Sequence, residues 1–356
     1  MAASSPIFEL LERNQDIFDN KDVVIVGDIL DPMVLSLIKQ SKSAVLVCDN
    51  YVVCKSMAAM IGQSLDNSIK TIVEYKHVKL VFAPIEDALK EINHIDSLVV
   101  LLSKSKQQTL KLINSLKDKY TADTSIYTAG ANDGGGKSAD SILKVIGLTR
   151  KVDLARKCTL FKCTVENSFN TYTAPKDICV SPLGISIKLK QDVAVFSQGK
   201  LDNGTAMLIE SLKGITPQGK ALDLGCGCGV VGITLSKLGF KDVTSSDISA
   251  AALTLTKENA KLNECNDIQV VASDMLSSLG NFDVIAVNPP FHVGITTTTA
   301  PTVNMIITSK DHLNEGGVMY LVANAHLHYE KYLEETFSKV EIVKKSTTFI
   351  VYKATR

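Results

Sequence analysis

Two patterns alternate along the chain: short runs of β-branched and aliphatic residues, and longer stretches in which apolar residues recur at helical spacing. In the first half the runs are DVVIVG (22–27), SAVLVCD (43–49), VKLVFA (78–83), SLVVLL (97–102) and TSIYTAG (124–130), with a helical pattern over 104–117. The second half repeats the plan in KALDLG (220–225), DVTSSD (242–247), DIQVVASD (267–274), FDVIAVNPP (282–290) and GGVMYLVANA (316–325). It closes on VEIVKKSTTFIVYKA (340–354), which reads as an antiparallel hairpin. Strands alternating with helices predict parallel sheets with crossover helices. The repetition predicts an α/β protein of two tandem Rossmann-like domains, 1–166 and 167–356, joined in the Thr/Asn/Pro-containing stretch 166–182.

Composition agrees with this plan. At 356 residues, 45% hydrophobic and 21% charged, the chain can bury two ordinary cores. The apolar runs stop well short of the about 20 residues a membrane span needs. The N-terminal MAASSPIFELLERNQ lacks a basic region leading into an apolar one, so no secretory signal and a cytoplasmic location are expected. Eight scattered cysteines, among them Cys48, Cys163 and Cys179 in strand-like runs, suit reduced, buried thiols. No pattern requires a second copy of the chain. Net charge is +0, so no global field announces a nucleic-acid partner. Locally, Lys144, Arg150, Lys151, Arg156, Lys157 and Lys162 are opposed only by Asp153. Such a stretch can touch phosphates, or can be a solvated helix face beside a linker.

The halves differ where chemistry is concerned. The first strand of the early half ends VGDILDP with a single glycine, whereas its counterpart ends DLGCGCGVVG. There Gly225, Gly227 and Gly229 allow a tight strand-to-helix turn and close approach to a ligand, and Cys226 and Cys228 are small enough not to block it. No second Cys or His pair stands at a metal-ligand spacing, so no metal is expected. Gly227, Gly229 and Gly232 also fit a dinucleotide fingerprint. Asp223 argues against that, because a carboxylate there suits a cationic methionyl ammonium better than a pyrophosphate. The expected cofactor is S-adenosylmethionine. Asp247, with Ile248 beside it, is placed to receive the ribose hydroxyls, and Asp274, beside Met275, the adenine amino group. Each Asp taken alone can equally be a helix cap. Three at successive strand ends point to a ligand, since open α/β sheets bind outside those ends.

The fourth strand of the later half ends in Asn288-Pro289-Pro290-Phe291. An exocyclic amino group on a base or amide is a poor nucleophile because its lone pair is delocalised. The Asn288 side-chain oxygen and the Pro289 carbonyl, aimed at both amino hydrogens, favour a pyramidal nitrogen. Prolines stiffen the corner, and Phe291 offers a face for a planar base. His292 either lines the substrate pocket or holds the loop. A separate stretch, ANDGGGKS (131–138), fits a relaxed phosphate-loop pattern around Lys137. No hydrophobic strand ending in a magnesium-binding Asp follows it in that half, so a surface turn capped by Ser138 is expected.

The strings FSQGKLDNGTAML, DLGCGCGVVG, NPPFHVG, HLNEGGVMYLVANAHLHY and FIVYKA resemble the bacterial ribosomal RNA small-subunit guanine-N2 methyltransferase C family, with the large-subunit guanine-N2 enzymes close behind. LLERNQDIF, GDILD and KVDLARKCTLF extend the resemblance through the N-terminal half. It implies two class I methyltransferase domains, the first degenerate and serving stability and RNA docking. The second would methylate a guanine N2 of 16S rRNA within the small subunit. By the same resemblance Phe196, Asp202, Gly204 and Thr205 border the cofactor. Two alternatives stay open on the residues alone. One is methylation of another planar amino group: a large-subunit rRNA guanine, a DNA adenine or a protein glutamine. The other is a nucleotide-binding ribosome assembly factor relying on Lys137.

Overall fold

The computed structural model of the chain describes residues 5–166, 169, 172–196, 198–289 and 300–356. Two compact units run Met1–Ala174 and Pro175–Arg356. The N-terminal unit holds β1 (Asp22–Gly27), β2 (Ser43–Cys48), β3 (Thr71–Tyr75), β4 (Val78–Phe82), β5 (Ser97–Leu101), β6 (Ser125–Ala131), β7 (Gly147–Ala155) and β8 (Cys158–Val165). These form one sheet in the order β3-β4-β2-β1-β5-β6-β8-β7. The C-terminal unit holds a two-stranded pair, β9 (Ile178–Val180) and β10 (Ile187–Leu189), and then β11 (Lys220–Leu224), β12 (Asp242–Asp247), β13 (Gln269–Ala272), β14 (Phe282–Val287), β15 (Leu313–Asn324), β16 (Lys339–Lys345) and β17 (Phe349–Thr355). Its seven-stranded sheet runs β13-β12-β11-β14-β15-β17-β16.

Counted from each unit's first sheet strand and leaving out the additional edge strand β3, both sheets have the order 3-2-1-4-5-7-6. In both, the seventh strand lies antiparallel between the fifth and sixth. Parallel neighbours buried on both faces demand near-continuous apolar runs, which is why β1 and β5 read VVIV and LVVL. In the C-terminal unit the strand period of two sends alternate side chains to two cores. Ala221, Val284 and Ala286 join one with Leu208, Ile209 and Ile233; Leu222, Ile285 and Val287 join the other with Met305, Ile306 and Leu333. Helices Asn203–Ser211 and Val230–Lys237 thus cover one face, and Ala300–Ser309 and Glu330–Thr336 the opposite one. Helix coverage changes sides between β11 and β14, which opens a crevice at their carboxyl ends.

Three expectations are corrected. Of the basic stretch, Lys144 ends the helix Ala139–Leu143, and the rest belongs to the β7–β8 hairpin and not to a helix face: Arg156 and Lys157, at φ 46° and 62°, form its turn. β8 matches the strand-like run expected around Cys163, whereas in β7 Arg150, Lys151 and Asp153 break up the apolar residues so that no continuous run marks the strand; β3, a short edge strand with one buried residue, offers as little signal. Ser138 precedes the helix Ala139–Leu143 without capping it, and its hydroxyl donates instead to the Gly135 carbonyl at 3.2 Å. Finally, Cys179 is exposed, although Cys48 and Cys163 are buried. Among the described residues no helix is long and apolar enough to cross a membrane.

Candidate active site

The crevice begins where β11 ends. Gly225 (φ 76°) turns the chain back toward β12, so that the amides of Gly225 and Cys226 both donate to the Ser246 carbonyl, at 2.8 and 2.9 Å. Gly229, at φ 81°, starts the helix Val230–Lys237, and a Cβ there would lie 2.8 Å from Thr256 Cγ2. The helix Ala250–Leu262 and the residue after it brace the loop from behind. Thr256 Oγ1 donates to the Gly227 carbonyl at 3.0 Å, and Asn259 Nδ2 to the Cys228 carbonyl at 3.0 Å. Asn259 and Asn263 also bind both backbone groups of Lys190 and Lys188, which holds the end of β10 beside the loop. Sequence reasoning missed this brace. The only signal was two asparagines at i, i+4 in KENAKLN, a spacing equally common on a solvated face.

The two carboxylates are set differently. Asp223 is buried, and its Oδ2 accepts from the Gly232 amide at 2.8 Å. Burial pushes it up to about 7; the Gly232 hydrogen bond opposes this, and the negative charge of Asp247 adds to it. Asp247 is half-buried and accepts from the Gly227 amide through Oδ2 at 3.1 Å and from the Ser249 amide through Oδ1 at 3.0 Å. Burial raises it as well, against the opposing backbone amides of Ser249, Gly227 and Ile248. Desolvated carboxylates facing one ligand site favour a cationic group there. Burial also pushes the Cys226 and Cys228 thiols up, the reverse of what a metal thiolate needs.

Asn288 directly follows β14, whose Val287 pairs with Leu224, and so stands beside the glycine loop. Its Nδ2 donates to Thr205 Oγ1 at 2.9 Å and to Asp202 Oδ2 at 3.3 Å. Its Oδ1 is buried without a hydrogen-bond partner among the described residues. An acceptor left dry in this way costs about 1–3 kcal/mol until something donates to it. Ser246 Oγ is buried and unpartnered too.

These features border one cavity of about 530 Å³. Of the residues expected at the site, it is lined by Phe196, Asp202, Thr205, Asp223, Gly225, Cys226, Gly227, Asp247, Ile248, Met275, Asn288 and Pro289. Gly204, Gly229 and Asp274 are not in its wall: Gly204 and Gly229 act through packing, and Asp274 is exposed while its neighbours Ser273 and Met275 take the wall positions. Pro290, Phe291 and His292 lie outside the described residues. Gln191, Val195 and Lys200 line the cavity without having been singled out in the sequence. The volume suits one small molecule. Side-chain-free backbone at Gly225 and Gly227, two raised carboxylates and the orphaned Oδ1 fit a nucleoside carrying a cationic amino-acid tail.

Known sequences agree with the geometry. The methyltransferase small domain matches residues 186–353, and the methyltransferase small domain N-terminal matches 8–176. Fold, crevice and these matches define a chain of two tandem methyltransferase domains that uses S-adenosylmethionine. The ribosomal RNA small subunit methyltransferase C of Aeromonas hydrophila is 31% identical over 98% of this chain and 97% of its own. That of Pseudomonas entomophila is 34% identical over 73% of this chain and 79% of its own. The chain belongs to the ribosomal RNA small subunit methyltransferase C family. Its fold is that of a T. thermophilus 16S rRNA N2 methyltransferase solved with AdoMet and guanosine, with a TM-score of 0.81 at 20% identity over 99% of this chain and 92% of that one.

Proposed function

We propose that this chain methylates the exocyclic N2 of a guanine in 16S rRNA, in the cytoplasm and on the small ribosomal subunit. The observation that carries this reading is the Asn288 amide, whose nitrogen is engaged by Asp202 and Thr205 while its oxygen is kept dry and unpaired. That oxygen and the Pro289 carbonyl accept the two amino hydrogens, so the nitrogen lone pair is localised and aimed. S-adenosylmethionine, when bound, supplies an electrophilic methyl group on a sulfonium. Asp223, Gly225 and Gly227 hold the methionyl end, and Asp247, Ile248 and Met275 the nucleoside end. Pro290 and Phe291, outside the described residues, enter by residue type alone, as a rigid proline and a ring on which a base can stack; Asp274 is left out of this reading. The N-terminal unit serves RNA docking and stability. Incubation of the protein with methyl-labelled cofactor and unmethylated small subunits, followed by digestion of the RNA, tests the reading. Label is expected in N2-methylguanosine of 16S rRNA; its absence there, or label carried instead by another nucleoside, by ribosomal protein glutamine, or by large subunits or DNA offered in parallel, overturns it.

A further inference from the structure

We infer that Asp202 is a positioning residue for methyl transfer, acting through Asn288 and not through the cofactor. The inference rests on the proposed role of the Asn288 amide. An Asn side chain can present either its oxygen or its nitrogen to a neighbour, and only one choice leaves an acceptor for a substrate amino group. Asp202 makes that choice. Its Oδ2 accepts from the Thr205 amide at 2.9 Å, from Thr205 Oγ1 at 3.3 Å and from Asn288 Nδ2 at 3.3 Å, while Asn288 Nδ2 also donates to Thr205 Oγ1 at 2.9 Å. The donors thus run from Asn288 to Thr205 to Asp202 and end on a carboxylate oxygen, which can only accept. Rotating the amide by half a turn would set Oδ1 against that carboxylate, acceptor against acceptor. The nitrogen is therefore committed, and Oδ1 is left on the other edge, unpaired.

Asp202 is itself held in place. It caps the helix Asn203–Ser211, and the helix position after Asn203 is a glycine whose missing Cβ would lie 3.1 Å from Asp202 Oδ2 and 3.2 Å from Phe349 Cε1. Gly204 thus lets the carboxylate and the Phe349 ring close on the start of the helix. The sequence FSQGKLDNGT shows only a helix cap here; the tertiary contact to Asn288 gives the cap its second task.

The test uses the full-length protein and four variants. Asp202→Ser keeps a capping oxygen but is too short to reach Asn288. Asp202→Asn keeps both cap and reach, and Thr205→Val removes the hydroxyl at constant shape. Single-turnover methylation of small subunits is expected to fall on the order of 10²-fold in Asp202→Ser and Thr205→Val, the scale of a misplaced catalytic group. Asp202→Asn recovers most of the rate. Cofactor affinity, KM for the subunit and melting temperature of Asp202→Ser stay at wild-type values. A second readout is free of catalysis: the Asn288 side-chain amide resonance, assigned by its loss in Asn288→Ala, shifts and exchanges faster in Asp202→Ser. A wild-type rate in Asp202→Ser with an unmoved amide resonance overturns the inference, and so does weakened cofactor binding with the saturated rate intact. If the wild type labels another amino substrate and not guanine N2, the proposed function fails by itself. The variant-to-wild-type ratio on that substrate, with the resonance, still decides the role of Asp202.

Discussion

Asp223 shows how one residue can serve a ligand at the expense of the empty fold. Its carboxyl is pushed up to about 7 in the native state, far above its unfolded value near about 3.9. Between those values the native chain binds more protons than the unfolded one. Stability is therefore full below the lower value and is lost as pH rises toward the upper one; Asp247, raised in the same direction, adds to the loss. A gap of that size corresponds to at most about 4 kcal/mol. Melting of the cofactor-free protein between about pH 4 and 7 is expected to show this fall, and Asp223→Asn to flatten it while the Gly232 hydrogen bond is kept. An unchanged pH profile in the variant would place the titration elsewhere. A cationic ligand stabilises the charged form, so bound cofactor is expected to reduce the slope in the wild type.

At the scale of elements, the loop between β11 and its helix works because glycines remove what would separate them. Gly232 lies on the buried face of the helix Val230–Lys237, where a Cβ would stand 2.3 Å from Ser245 Oγ and 3.2 Å from Asp223 Oδ2. Gly232→Ala is expected to cost about 1–3 kcal/mol in a denaturant melt, as overpacking does, and to weaken cofactor binding by pushing the helix and its amide off Asp223. Full stability together with full affinity would show that the helix can shift freely. The third glycine of a dinucleotide-like fingerprint was legible in GCGVVG, but its partner Ser245 was not, since strand register decides which residue of β12 faces it. The β7–β8 hairpin shows the opposite failure. Its basic residues stood out in the sequence, but they share the exposed face of β7 with Leu148, Val152 and Leu154, so residue type alone left a phosphate contact and a solvated helix face both open.

Across the whole molecule the two units share a sheet order but differ at the equivalent turn. At the end of β1, Gly27 is the lone glycine, and a Cβ there would lie 2.1 Å from the Leu101 carbonyl oxygen. Asp28 donates its amide to that same carbonyl at 2.9 Å, so this turn closes on β5 where its counterpart opens toward a ligand. Calorimetric titration of the full-length protein is therefore expected to give one cofactor per chain, and a stoichiometry of two would show that the N-terminal unit also binds.

The sequence by itself determined the repeated α/β plan, the glycine loop, and the placing of Asp223, Asp247 and Asn288 at strand ends. Strand period, glycine spacing and position at a strand end are local properties, readable along the chain. Only the tertiary structure decided that Asp202, 86 residues before Asn288, turns that amide, that Thr256 and Asn259 brace the loop, and that Asp274 stays out of the cavity wall. Those relations depend on which face of a helix meets which strand end. Such facing is set by the packing of whole elements, and residue type and spacing do not encode it one position at a time.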